Sequence, residues 1–401
     1  MEPFPQLRSR ILEALEEIVS IRREIHMDPE LSEEEYHTQE RIRAYLNRYG
    51  IPNEVSGKTG VYAWIHGEKQ TSAPKRTVAI RADIDALPIE EETGLPFASK
   101  KCGVMHACGH DVHTSILLGV SRMLYEMRSE FSGMIKLFFE PAEETVGGAQ
   151  FMIREGVMEN PPVDAIIGLH VFPRLPAGTI ELTYGKMNAS TDTIHIRVEG
   201  VAGHGAYPHD AQDAVVAAGH IVCALQSVVS RNIDPVESVV VTIGEIHGGT
   251  KGNIIADEVT MRGTLRTLDP ASRMLAKQRI RTLVESTAQA LGVKGFVTFD
   301  EGYPPLDNDN WVVKELEAVA RETFGDAQVV VAKKPSLGAE SFAFFLEKAQ
   351  GAFYNLGCGN VDLGFVYKGH HPKFAVDESC IPVGIEMQVR SALRLLETET
   401  R

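Results

Sequence analysis

The sequence predicts an α/β domain built on a largely parallel sheet and interrupted by a smaller, ferredoxin-like α+β domain. Three observations carry this. Apolar strand-like runs alternate with helical periodicity up to residue 188. The texture then changes: TDTIHIRVE at 191–199 alternates apolar and polar residues, and a strand–helix–strand–strand–helix–strand order continues to 301. From Pro304 the first texture resumes. The expected domains are therefore 1–188 joined with 302–401, and an insert at 189–301.

Each element has its own signal. Leu7, Ile11, Leu15, Ile18, Val19 and Ile25 share one helical face, and Pro29 stops that helix. A second amphipathic helix is expected at 32–49, closed by Gly50. Strands follow at 61–66, 77–82, 134–139 and 165–169, with a helix at 113–127. In the insert, the strand at 191–199 is followed by a helix at 213–229, strands at 238–243 and 258–266, and a helix at 272–291. The last part reads as helices at 311–324, 341–346 and 382–396 with a strand at 352–356.

Composition narrows the function. The chain has 401 residues, of which 43% are hydrophobic, 7% aromatic and 24% charged, which excludes collagen-like, disordered and disulfide-stapled classes. Its formal net charge is −15, so it repels phosphate backbones and anionic lipid, and neither nucleic acid nor membrane is an expected partner. No uncharged apolar run approaches a membrane span, and residues 1–20 mix acidic with apolar residues, unlike a leader. Five scattered cysteines fit reduced thiols and a cytoplasmic setting.

The chemistry gathers in short segments. Residues 105–114 read MHACGHDVHT, so Cys108 and His110 flank Gly109, a spacing at which thiolate and imidazole reach one metal from a turn. Asp111 and His113 are candidate supports for those ligands. Donors also follow the carboxyl ends of predicted strands: Asp83 and Asp85 in RADIDALP, Glu143 and Glu144 in FEPAEE, and His170 in GLHV. Alone, Glu143 and Glu144 would read as a solvated acidic pair and His170 as an ordinary polar residue. Ligands of an open α/β sheet collect outside the carboxyl ends of its strands, so these segments converge on one crevice. Near the C-terminus KGHHPKFAVDE offers His370 or His371 from the turn before Pro372. Cys108, His110, Glu144, His170 and one of these histidines exceed the needs of one tetrahedral zinc and point to two metals, with zinc, manganese, cobalt or nickel suited to such ligands. Glu143, beside a ligand, is the candidate general base. No nucleophile elbow, Walker loop or dinucleotide fingerprint is present.

These motifs, in order from RREIHMDPELS at 22–32 through RADIDALP, MHACGHDVHT, PAEE and GLHV to HHPKF and VDE, cover nearly the whole chain. The sequence resembles the bacterial N-acyl-amino-acid amidohydrolases: aminoacylases, hippurate hydrolases, N-acetyl-diaminopimelate deacetylases and thermophilic carboxypeptidases, within the wider clan of di-metal aminoacylases and carboxypeptidases. The resemblance implies a di-metal exopeptidase-like catalytic domain and an inserted lid and dimerisation domain. Two divalent ions per subunit would be held by Cys108, His110, Glu144, His170 and His370, the last preferred because the family ligand stands two residues before the proline. Glu143 matches the general acid/base and Asp85 the carboxylate that orients the metal surroundings, with Asp83 close by. In the insert, GVAGHGAYPH places His204 at the lid position that reaches the substrate carbonyl, while Asn253 and Arg266 match positions that hold a substrate carboxylate. The implied substrate is a small N-acyl amino acid, or a short peptide cut at its C-terminal residue, and the implied assembly is a homodimer or homotetramer through the insert. The chain departs from the family pattern at GAESF (338–342), where GxEDF is usual, and at LGFVYKG (363–369). Glu340 and its surroundings are thus expected to shape side-chain selectivity.

Overall fold

The fold is that of a computed structural model, which describes residues 6–398. Met1–Pro5, on which the reading of the first residues partly rests, lie outside the described residues. The chain divides into two compact units, the first formed by the residues up to Gly185, Asp307–Lys333 and those from Ser341 on, the second by Lys186–Leu306 and Lys334–Glu340. The short second piece of that unit falls inside the region the sequence assigned to the catalytic part, and it takes Glu340 with it.

The first unit is built on an eight-stranded sheet. Its centre is parallel, in the order Ser132–Glu140, Thr77–Asp83, Ala165–Pro176, Gln350–Gly359. Thr77–Asp83 is buried at every position, as its continuous apolar run requires of a strand covered on both faces. The edges depart from the parallel expectation. Gly60–Glu68 runs antiparallel to Ser132–Glu140 and forms a hairpin with Asn53–Ser56. At the other side Ile180–Leu182 runs antiparallel to Gln350–Gly359 and carries Val329–Val331. A tight turn joins Asn53–Ser56 to Gly60–Glu68 and makes that pair antiparallel, whereas Val329–Val331 follows the helix Asn310–Phe324 and lies parallel to Ile180–Leu182. Leu7–Met27 and Cys380–Glu397 pack against His110–Glu126. Gly119 permits that approach: a Cβ there would stand 2.5 Å from Ile385 Cδ1.

Two helix starts differ from the sequence expectation for local reasons. The second helix is Tyr36–Arg48 rather than 32–49, because Ser32 donates to Asp85 (2.7 Å) and Glu30 accepts from the backbone N–H of Thr38 (2.8 Å). The helix expected at 113 begins at His110, directly after Gly109 with φ +92°.

The second unit carries a four-stranded antiparallel sheet in the order Val239–Gly248, Glu258–Thr267, Ser190–Glu199, Lys294–Glu301. With the helices Ala214–Ser227 and Pro270–Ala290 between its strands, this is the ferredoxin-like arrangement. Ile194, Ile196, Val198, Ile221, Leu225, Ile280 and Val284 form its own core. Among the described residues one helical run, Ala214–Asn232, is long and apolar enough to cross a membrane by length and composition alone. Its Ala214, Ala217, Ala218, Ile221, Leu225 and Val228 are buried in the core of this unit.

Candidate metal centre

The parallel register delivers the donors to one end of the sheet of the first unit. Asp83 pairs with Glu140, and His170 with Asn355 on the neighbouring strand. Beyond Glu140 the chain turns through Glu143 and Glu144, and beyond Asp83 it reaches Asp85. Gly109 turns Cys108 back onto the site while His110 opens the helix, and a Cβ on Gly109 would collide with Val171. His370 has φ +66°, a left-handed conformation rare for a residue with a side chain, and its N–H donates to the Ala107 carbonyl (2.8 Å). The last histidine is thereby tied to the cysteine turn.

Two sets of donors come together around one thiol. Cys108, His110 and His170 have ligand atoms within 4.8 Å of one another, and so do Cys108, Glu144 and His370. His110, Glu143 and Glu144 form a third such group. Cys108 is common to the first two, the arrangement expected of a shared ligand between two cations.

Hydrogen bonds decide which nitrogen of each ring is available. His170 Nδ1 lies 2.7 Å from the Val171 carbonyl, which only accepts, so Nδ1 carries the proton and the Nε2 lone pair faces Cys108 Sγ at 3.3 Å. His110 Nδ1 donates to Asp85 (3.1 Å), leaving Nε2 for a proton or a cation. That Nε2 is buried and has no hydrogen-bond partner, and neither has Glu144 Oε1. His370 Nε2 stands 3.3 Å from Glu144 Oε1, near enough for charge attraction but outside hydrogen-bond geometry. Unsatisfied buried donors and acceptors are costly, and a divalent cation among sulfur, nitrogen and oxygen ligands satisfies these two. The donor set therefore fits a metal. His113 joins Asp83 and His110 in another close group, but both its nitrogens are engaged. Nδ1 is 2.6 Å from Asp83, and Nε2 accepts from the Val171 N–H at 2.9 Å. It braces Asp83 instead.

Charge is strongly concentrated here. Burial opposes ionisation of Asp83, but His110, His113 and Arg81 outweigh it and hold the carboxyl well below the usual range. Burial also opposes a charged His110, yet Asp83, Cys108 and Asp85 raise it well above an ordinary histidine. Burial and the nearby Glu144 push the Cys108 thiol well above its usual value. Both shifts favour a proton on Cys108 and on His110, in competition with a cation.

The second unit holds the remaining sequence candidates. His204 ends the short strand Gly203–His204, paired with Ile254–Ile255, and the Gly205 N–H donates to the Asn253 carbonyl (2.9 Å), so His204 and Asn253 are neighbours. His204 Nδ1 accepts from the Ala206 N–H (3.1 Å), which leaves a proton on Nε2 to donate. Arg266 sits on the sheet opposite Thr191 and Val240 and donates to Thr264 Oγ1 (2.5 Å). Glu340 is buried in the same unit.

The profile of the Peptidase family M20/M25/M40 matches residues 79–394. The chain belongs to this family. An N-acetyl-L-cysteine deacetylase of Bacillus subtilis is 40% identical to this M20/M25/M40 member over 385 residues, covering 95% of this chain and 89% of the relative. Thermostable carboxypeptidase 1 of Saccharolobus solfataricus is also 40% identical, over 387 residues and 96% of both chains. Among solved structures, the Bacillus subtilis YXEP protein, described as a dinuclear metal binding peptidase from the M20 family, superposes with a TM-score of 0.84 at 34% identity, covering 97% of this chain and all of that one. The family resemblance, the α/β fold class and the use of divalent metal for amide hydrolysis read from the sequence are borne out.

One part of this M20/M25/M40 site escaped the sequence reading. Arg81, fully buried, donates to Glu140 (2.5 Å), Asp83 (2.7 Å) and Ser341 Oγ (2.9 Å). Ser341 Oγ in turn donates to Glu140 (2.6 Å), and its backbone N–H donates to Glu143 Oε1 (3.1 Å). A charged residue inside the apolar run TVAIRAD was the available signal, since a buried arginine requires carboxylates around it.

Proposed function

We propose that this family member hydrolyses the amide bond of N-acyl amino acids, N-acetyl derivatives foremost, releasing a free amino acid and a carboxylate. The observation that carries this reading is the pair of donor sets sharing Cys108, with Glu143 beside them. Two divalent cations per subunit, of zinc, manganese, cobalt or nickel, would be held by Cys108, His110, Glu144, His170 and His370. When bound, they supply electrophilic activation and lower the pKa of water.

The residues divide the remaining work. Glu143 takes a proton from the attacking water and returns it to the leaving amine, so no covalent intermediate is required. Asp85 fixes the His110 tautomer through Nδ1. His204, with Nε2–H free to donate, is assigned to the developing oxyanion; loss of one such donor typically slows turnover by about 10²–10³. Asn253 and Arg266 are assigned to the substrate carboxylate, which a guanidinium binds through paired charge-assisted bonds. Glu340 is assigned to the pocket that selects the side chain. The inserted unit, 189–301 by sequence, is assigned the roles of lid and dimer or tetramer contact, and the cytoplasm is the proposed setting.

The named activity of the Saccharolobus relative favours a second reading, a carboxypeptidase acting on short peptides. Measuring amine release from matched N-acetyl amino acids and dipeptides separates the two. Faster turnover of the N-acetyl compounds is expected, and a preference for dipeptides would favour the second reading. A substrate carboxamide should be turned over far more slowly than the free acid. Equal rates would remove the carboxylate role from Arg266.

A further inference from the structure

Glu35 is buried in the first unit, 107 residues from the loop it touches. Its Oε1 accepts from the backbone N–H of Ala142 at 2.8 Å, and its Oε2 accepts from the Thr59 hydroxyl. Ala142 is itself unusual: it carries a side chain at φ +54° and immediately precedes Glu143. Left-handed conformations of such residues persist only where the surroundings over-determine them. The same loop is held elsewhere by Asp85 on the Glu144 N–H (3.0 Å), Glu140 on the Ala149 N–H (2.6 Å) and the Ala142 carbonyl on the Gly147 N–H (3.0 Å). Two of these bonds fall on the strained residue: Gly147 holds the Ala142 carbonyl from within the loop, and Glu35 holds its N–H from outside it.

We infer that Glu35 is a positioning residue: its carboxylate holds the strained Ala142 turn and so fixes where the Glu143 carboxylate stands. The inference rests on the base role given to Glu143 above. It adds a residue that touches neither substrate nor ligand. Burial raises the Glu35 carboxyl to about 7, with the Thr59 bond opposing and Asp85 adding to the rise. An oxygen acceptor serves Ala142 in either protonation state, so a glutamine can replace it. Alanine instead leaves a buried N–H without a partner.

The test compares Glu35→Ala and Glu35→Gln with the parent chain by two readouts. Amide hydrogen exchange on the metal-free proteins should show residues 142–147 exchanging at least tenfold faster in Glu35→Ala and at the parent rate in Glu35→Gln. On the metal-loaded proteins, kcat should fall at least tenfold in Glu35→Ala with KM and metal content unchanged, and should recover in Glu35→Gln. Unchanged exchange at 142–147 would overturn the inference, and so would a uniform increase along the whole chain, which marks general destabilisation. If Glu35→Ala fails to fold, Thr59→Val carries the same test: faster exchange confined to 142–147 supports the inference, and parent-like exchange there overturns it. Absence of turnover by the parent chain on every amide would overturn the base role of Glu143, while the exchange measurement would still decide the clamp.

Discussion

At the scale of single residues, Cys108 and His110 show how this chain manages a dense charge cluster. Both hold protons tightly when no cation is present, because burial disfavours the thiolate and Asp83 favours the imidazolium. A cation must displace those protons, so its affinity rises as pH rises. Zinc binding to metal-free protein should be more than tenfold tighter at pH 8 than at pH 6, with proton release visible by calorimetry in buffers of different ionisation enthalpy; equal affinities would contradict this account. Glu143 gives a sharper case. Glu143→Ala should lower kcat by about 10²–10⁴, the usual contribution of a general acid/base, and leave metal stoichiometry unchanged in elemental analysis. Glu35 has a pH signature as well. Its folded-state pKa of about 7 lies above its ordinary 4.5. The stability it contributes is therefore present in full below about 4.5 and is lost as pH rises through 7. In metal-free protein, urea unfolding should show the parent chain losing up to roughly 3 kcal/mol more than Glu35→Gln between pH 4.5 and pH 8.

At the scale of elements, the site depends on how strands and helices end. The strand Thr77–Asp83 carries Arg81 and Asp83 side by side in the core of the first unit, and Ser341 closes the network above Glu143. Arg81→Met would leave Glu140 and Asp83 buried without their cation, and the expected cost is roughly 3–5 kcal/mol by denaturant unfolding. A loss below 1 kcal/mol would show that the network is not what holds the strand ends. Much of this was legible in the sequence. The strand 77–82 and the donors after it followed from a continuous apolar run ending in acids, and Cys108, His110 and His170 followed from residue type and position. What was not legible involves long-range pairing. Ser32 bonds to Asp85 instead of starting a helix, and Glu35 reaches Ala142 through a contact no local pattern encodes. The same holds for Lys334–Glu340, whose place in the second unit depends on folding back across the chain.

At the scale of the whole molecule, metal binding and folding of the first unit are linked. The proposed ligands come from four separated segments: the turn at Cys108 and His110, the loop at Glu144, the strand at His170 and the turn at His370. A cation that binds the folded arrangement alone stabilises it by about 2.7 kcal/mol at a hundredfold excess over its dissociation constant. Chelation should therefore lower the unfolding midpoint in a concentration-dependent way and leave the midpoint of a Cys108→Ala/His110→Ala variant nearly unchanged. The central claim is that these segments build a two-cation amide hydrolase. Its most direct test is titration of metal-free protein with zinc, manganese or cobalt, following bound metal and amine release from N-acetyl, N-benzoyl and dipeptide substrates together. Release that rises with occupancy and reaches its plateau at two equivalents per chain is the predicted result. Two equivalents bound with no release from any of these amides would contradict it.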